Sequence, residues 1–260
     1  MKFFRWAFLL IMISSLTGCF TWLRAYQTYL QMDEFDQNFV ITANDGFSWH
    51  FKDPILYSGD FTSLSKLQPT ASISLDSGKS WRYWFRKVDE KGGVIRPETK
   101  FYFDLDFNSD DRLMRWSFSP LFLQMAPAEF LEISIRSIGG AKIDKEKRQL
   151  KADTDSIQKI SVDLPQKSQV LSQLGEPLQV EDGGKNEIYH YHFLLDTAKV
   201  EDGYEDRTLS VIKLTFDKTT NELIKMAGRF AGLKISINYQ KYIEEKPVSL
   251  TQISDRSLSE

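Results

Sequence analysis

The chain is almost without cysteine. A single one, Cys19, stands in 260 residues. No intrachain disulfide can form, so stability must come from a hydrophobic core. Histidine is nearly as scarce, with only His50, His190 and His192. There is no Gly-x-Ser-x-Gly elbow, no phosphate loop and no dinucleotide fingerprint, so no motif points to nucleophilic serine, nucleotide or nicotinamide chemistry. Basic excess is missing too. Lys and Arg number 33 against 36 Asp and Glu, a net charge of −3. Nothing in that balance draws the protein to nucleic acid. The one apolar run near the start is shorter than the ~20 residues of a comfortable membrane span.

What is present is a core-forming composition, 42% hydrophobic and 13% aromatic, in a chain long enough for one or two domains. The first nineteen residues are the most specific segment. Lys2 and Arg5 lead into Phe8-Leu9-Leu10-Ile11-Met12-Ile13, and the segment closes on Leu16-Thr17-Gly18-Cys19. This resembles a bacterial lipoprotein signal with its lipobox at Leu16 to Cys19. The resemblance implies removal of residues 1–18, a diacylglycerol on the Cys19 sulfur and acylation of the new amino group. Each buried methylene adds ~0.8 kcal/mol, so several chains anchor durably where one is marginal. The alternative is an uncleaved signal anchor with an incidental cysteine. Phe20 and Thr21 follow, with no aspartate directly after the cysteine. In enteric-type bacteria that points to the outer membrane, facing the periplasm. Trp22 and Phe20 stand next to the expected lipid and could rest at the bilayer interface.

Two halves of the chain carry the same order of signals. A short helix stopped by proline is expected at Phe61 to Pro69 and again at Ser168 to Pro177, with Gly175 supplying the stop. Polar turns, Asp76-Ser77-Gly78 and Asp182-Gly183-Gly184, precede aromatic strands at Trp81 to Arg86 and Ile188 to Phe193. The same interval separates Pro69 from Pro177 and Tyr83 from Tyr191. Further strands end in Phe107-Asn108 and Phe216-Asp217, and return strands begin at Leu113 and Leu223. Alternation is strict: Trp81, Tyr83 and Phe85 share one face while Arg82, Trp84 and Arg86 share the other. Phe101, Phe103, Leu105 and Phe107 likewise oppose Tyr102, Asp104 and Asp106. Such sheets are apolar on one side and are covered there by helices. Helical spacing predicts further helices over 22–35 and 124–138. Hairpins are expected at 39–51 around Asn44-Asp45-Gly46 and at 141–151.

Lys167 to Pro177, the turn and aromatic strand after it, and Leu214-Thr215-Phe216-Asp217 resemble the BamE or SmpA family of small lipoproteins. That resemblance implies helices packed on a three-stranded antiparallel sheet and a link to outer-membrane assembly. Two such units in tandem resemble the arrangement of the β-lactamase inhibitor protein. It covers roughly 160–230 directly and 55–120 by analogy, and it carries over no binding residues. The expected fold is α+β, two tandem units each with an antiparallel sheet and helices on one face. The expected boundaries are 1–18 signal, 19–122 first unit, 123–246 second unit and 247–260 disordered tail.

Chemistry-bearing residues are sparse. His190 and His192 share a strand face, but no carboxylate stands at strand spacing beside them to complete a zinc site. The carboxylate pairs Asp104/Asp106, Asp110/Asp111 and Asp153/Asp155 sit in strands or charged turns as solvated groups. No catalytic residue, metal or cofactor is expected. Apart from Trp6, every tryptophan (Trp22, Trp49, Trp81, Trp84, Trp116) falls in the first half. Trp81 belongs to a core face. Trp84 breaks a polar face between Arg82 and Arg86, a combination enriched at binding hot spots. Arg82, Trp84, Arg86, His190 and His192 are therefore the candidate partner-binding residues, and Cys19 the lipidation site. The expected function is a non-catalytic interaction or scaffold module touching an envelope protein. A periplasmic small-ligand or lipid carrier or sensor is the alternative, and an envelope hydrolase the third.

Overall fold

The computed structural model describes residues 20–43, 46–144, 149–151, 157, 159–197 and 199–244. The signal segment, Cys19, the turn residues Asn44 and Asp45, the pair Asp153/Asp155 and the 247–260 tail lie outside them. Helix α1 (20–31) runs into a 3-10 turn at Met32–Glu34 and the short α2 (Phe35–Asn38). The hairpin β1 (Phe39–Thr42) and β2 (Phe47–Phe51) follows, then α3 (Ser58–Ser65). Next come β3 (Ala71–Leu75), β4 (Gly78–Val88), β5 (Lys100–Asn108) and β6 (Leu113–Phe118). Helices α4 (Pro120–Leu123) and α5 (Ala128–Arg136) and the small hairpin β7 (Lys142–Asp144) and β8 (Gln149–Lys151) lead to α6 (Lys167–Leu174). The chain finishes with β9 (Gln179–Asp182), β10 (Asn186–Asp196), β11 (Leu209–Asp217), β12 (Leu223–Phe230) and β13 (Leu233–Asn238).

All but β7 and β8 join one eleven-stranded antiparallel sheet, in the order β1-β2-β6-β5-β4-β10-β11-β12-β13. β3 pairs with β4, and β9 with β10. The fold is thus α+β, a large curled sheet with a few helices. The two long strands β4 and β10 meet at its middle, Trp84 opposite Asp196 and Val88 opposite His192.

The alternation read from the sequence sets which face is covered. Trp81, Tyr83 and Phe85 are buried with Phe101, Phe103, Leu105 and Phe107. Phe85 and Phe101 stack at 4.9 Å, and Phe101 meets Phe193 of β10 at 4.9 Å. The curl brings Phe230, at the end of β12, against Phe122 of α4 at 5.6 Å. One continuous core results, which α5 and α6 join through Phe130, Leu131, Val170 and Leu174.

Two cations tie the halves together through helix ends, whose last carbonyls have no intrahelical partner. Lys87 is buried at the end of β4, and its Nζ donates to Leu174 O at 2.7 Å and Glu176 O at 2.6 Å, at the exit of α6. Burial holds its ammonium below the ordinary 10.5, opposed by Glu176. Arg207 reciprocates at the exit of α3, donating from Nη1 to Leu64 O at 2.7 Å and Ser65 O at 3.0 Å. Gly175 takes φ +67° just past α6, where a side chain would be strained. At Gly78 a Cβ would meet Phe107 O at 1.9 Å, so the β4 entry admits only glycine.

Several expectations need correction. The helix placed at 22–35 ends as α-helix at residue 31, and the 124–138 helix is shorter, at Ala128–Arg136. The segments read as leading straight into polar turns contain two strands, β3 and β9, and β13 was not foreseen. Among the described residues no helix is long and apolar enough to cross a membrane.

Candidate partner-binding face

Strand pairing places the five candidate residues on one side of the sheet, opposite the core. Arg82 faces Asp104, Trp84 faces Tyr102, and Arg86 faces Lys100 across β4–β5. Arg86 faces Leu194 and Val88 faces His192 across β4–β10. His190 is two residues from His192 and so shares that face. The face therefore runs across the central seam rather than belonging to one strand.

Trp84 is half-buried. Trp84 packs edge-to-face on Tyr102 at 4.8 Å between ring centroids, and Lys100 Nζ stands 4.7 Å from its ring. The Arg82 guanidinium lies 3.9 Å from the Tyr102 ring and 5.4 Å from that of Trp84. Arg82 is also bidentate to Asp104, Nε to Oδ1 at 2.7 Å and Nη2 to Oδ2 at 2.6 Å. The Asp104 bond, against the opposing effect of burial, raises the Arg82 pKa further. Arg86 reaches Asp196 at 2.6 Å and Glu98 at 3.4 Å. Farther out, Arg115 holds Asp106 at 2.5 Å. The side chains of Arg82, Arg86, Lys100 and Asp196 are 36–43% exposed, so the face reaches solvent. Its cations and anions are matched in pairs around a central aromatic couple, an aromatic centre with a charged rim.

His190 Nε2 lies 3.1 Å from Glu181 Oε2. No carboxylate stands at strand spacing on the histidines' own strand; Glu181 is supplied by the neighbouring β9. Among the described residues no group of three or more His, Cys, Asp or Glu is placed to hold a metal ion. His50 lies on the same face, bonded to Thr42 Oγ1 at 3.1 Å, and burial with the nearby Arg115 lowers its pKa from 6.5. Asp111 bonds Ser58 Oγ at 2.7 Å and Lys79 at 2.7 Å. It is a structural tether under α3. Ser117 Oγ and Ser48 Oγ share a bond at 2.8 Å, and Ser119 Oγ accepts the Tyr102 N–H at 3.0 Å. These hydroxyls hold strands together.

A small open depression of about 210 Å³ lies at the end of the seam, lined by Arg86, Val88, Val94, Leu194 and Asp196. A second, of about 370 Å³, lies where α1 meets α3, between Phe20, Arg24, Tyr57 and Asp60. Alternation with Phe101 and Phe103 places Tyr102 on this face, although it is not one of the five candidates; Lys100, Glu98, Asp196 and Glu181 are not singled out by the sequence. Asp196 reaches Trp84 and Arg86 through the long-range pairing of β10 with β4, and Glu181 reaches the face through the β9–β10 hairpin.

Compared with known proteins, the chain matches no family model, no curated protein and no solved structure.

Proposed function

We propose that the chain is a lipid-anchored envelope protein that works as a non-catalytic interaction module, binding a protein partner through the face around Trp84. The observation that carries this reading is the Trp84–Tyr102 couple, set among paired charges on the solvent-reaching side of the central strands. Trp, Tyr and Arg are the residues that dominate binding hot spots, and a polar rim excludes water around them. The signal-like segment ending at Cys19 supports anchoring, with the outer membrane as the destination. A tether raises the effective concentration of a face that binds weakly on its own. A link to outer-membrane assembly rests on the BamE-like residues alone.

The module is built, in this reading, from two tandem units. The order helix, short strand, long strand, strand, strand runs once from α3 to β6 and again from α6 to β12. Register shifts fall at Asp106/Phe107 and at Thr215/Phe216, the matching places. Each short helix opens with a side chain at its third position accepting a backbone N–H, Asp60 from Tyr57 and Gln169 from Gln166. The Lys87 and Arg207 bonds cross between the units in both directions. These parallels support a duplicated plan.

The carrier reading is weaker. Ligand pockets commonly measure ~300–1,000 Å³ and enclose most of the ligand. The seam depression is smaller than that, and the larger one is open and floored by an ion pair. The test is recovery of crosslinked partners from envelope extracts with Trp84→Ala and Arg86→Ala variants. Loss of a defined partner supports the reading, and unchanged recovery removes this face from consideration.

A further inference from the structure

Helix α1 is docked on one side only. Thr21, Thr28 and Met32 are buried against the body. Arg24 is bidentate to Asp60 of α3, Nε to Oδ2 at 2.7 Å and Nη2 to Oδ1 at 2.5 Å, and Thr21 Oγ1 donates to Asp60 Oδ1 at 3.0 Å. Tyr29 OH donates to Ala141 O at 2.7 Å. The opposite side carries large apolar side chains that touch water: Trp22 is 62% exposed, Leu23 50%, Tyr26 50% and Leu30 46%. Residues 22, 26 and 30 are four apart and 23 lies beside 22, so they form one stripe along the helix. Phe20 extends it at the N-terminal end. No charge interrupts it. Arg24 is the only charged residue between 20 and 31, and Asp60 neutralises it.

We infer that this stripe lies in the interfacial layer of the bilayer, so that α1 sits flat on the membrane and fixes the orientation of the whole body. The inference rests on the anchoring reading. The occupant follows from the chain itself. The apolar segment Phe8 to Ile13 and the lipobox end one residue before α1 begins. Acylated at Cys19 or retained as an anchor, that segment brings the membrane surface to the N-terminal end of the helix. Trp and Tyr favour the depth where an apolar ring and a polar edge are both satisfied. An uncharged aromatic stripe is too weak to hold a protein at a membrane alone. Beside a tether it needs only to choose an orientation, because the effective concentration is supplied by the anchor. The docked side of α1, fixed by Asp60, prevents the helix from rolling.

The test uses the full protein purified from membranes and placed in phosphatidylethanolamine–phosphatidylglycerol vesicles, with and without brominated acyl chains that quench tryptophan on contact. Trp49 and Trp81 are buried, and Trp84 and Trp116 are half-buried on the sheet. The quenchable emission of the wild type should therefore fall sharply in Trp22→Phe. The difference between the two proteins isolates residue 22 even if Trp6 is retained. Equal quenching in both overturns the inference. Intact mass on the same samples reads Cys19. An acylated mass with unquenched Trp22 overturns the placement of α1 alone, and an unacylated mass with quenched Trp22 overturns the lipidation reading alone.

Discussion

Replacing Lys87 with methionine probes the bond between the two halves of the molecule. The substitution keeps the length of the side chain and most of its apolar stem. It removes a buried ammonium that donates to Leu174 O at 2.7 Å and Glu176 O at 2.6 Å and stands 5.1 Å from the Tyr191 ring. Hydrogen bonds from a charged donor contribute about 1.5–3 kcal/mol each. A cation at a helix C-terminus adds about 0.3–1 kcal/mol. Against these stands the cost of burying the charge, several kcal/mol, which the methionine does not incur. The methionine leaves the Leu174 carbonyl buried without a partner, at about 1–3 kcal/mol. The Glu176 carbonyl belongs to an exposed residue and can turn to water. The balance is a loss of about 2 kcal/mol. Urea unfolding of the purified protein in detergent, followed by tryptophan emission, measures it. Equal or greater stability in the methionine variant would refute the reasoning, because the charge would then cost more than its bonds contribute. Arg207→Met acts at the other helix and shares no bonded partner with Lys87. The double variant should add to within about 0.5 kcal/mol.

Further outcomes follow from the same geometry. Trp84→Ala should cost only about 1–2 kcal/mol of stability, the value of an aromatic pair with a cation beside it, while abolishing partner crosslinking; a global unfolding transition lost altogether would mean that Trp84 is core. Phe101→Ala should cost about 3–5 kcal/mol, since Phe101 is fully buried between Phe85, Phe122 and Phe193; a shift below 1 kcal/mol in the same urea assay contradicts the packing. For Asp60, burial alone would raise the carboxyl pKa, but Arg24, the Tyr57 N–H and the Thr21 hydroxyl outweigh it and hold it below 3.8. Its contribution is therefore complete above the unfolded value and is lost as pH falls through the folded one. Protection of the α1 amides, with exchange taken relative to the unfolded chain at the same pH, should fall below about pH 4, and Asp60→Asn should show that lower protection already at neutral pH. Exchange in α1 that is the same in both proteins would show that Asp60 does not hold the helix.

How much of this was legible depends on burial contrast. β4 and β5 could be read because one face is buried and the other is not, so Trp81, Tyr83 and Phe85 alternate cleanly with Arg82, Trp84 and Arg86. β9 could not: all four of its residues are exposed, and its sequence, Gln179-Val180-Glu181-Asp182, carries no period of two. β3 is similar, with Ile73 and Leu75 exposed. The meeting of β4 and β10 leaves no local trace, because it joins residues more than a hundred positions apart. The candidate face shows the same division. Its β4 members share a side by simple alternation. Asp104 is predictable once β4 and β5 are paired as neighbours. Asp196 and Glu181 arrive through the seam and through β9, so the paired character of the charges is not legible locally.

The most direct measurement places a photo-crosslinking amino acid at Lys100, beside Trp84 on the central face, in one strain and at Ser236 of β13 in another. Illumination of intact cells, followed by purification of the protein, reads which site touches a neighbour. One defined adduct at position 100, absent at position 236 and lost when Trp84 is changed to alanine, is the expected result. Adducts of equal yield at both positions, or none at position 100, would contradict a binding role for the central face.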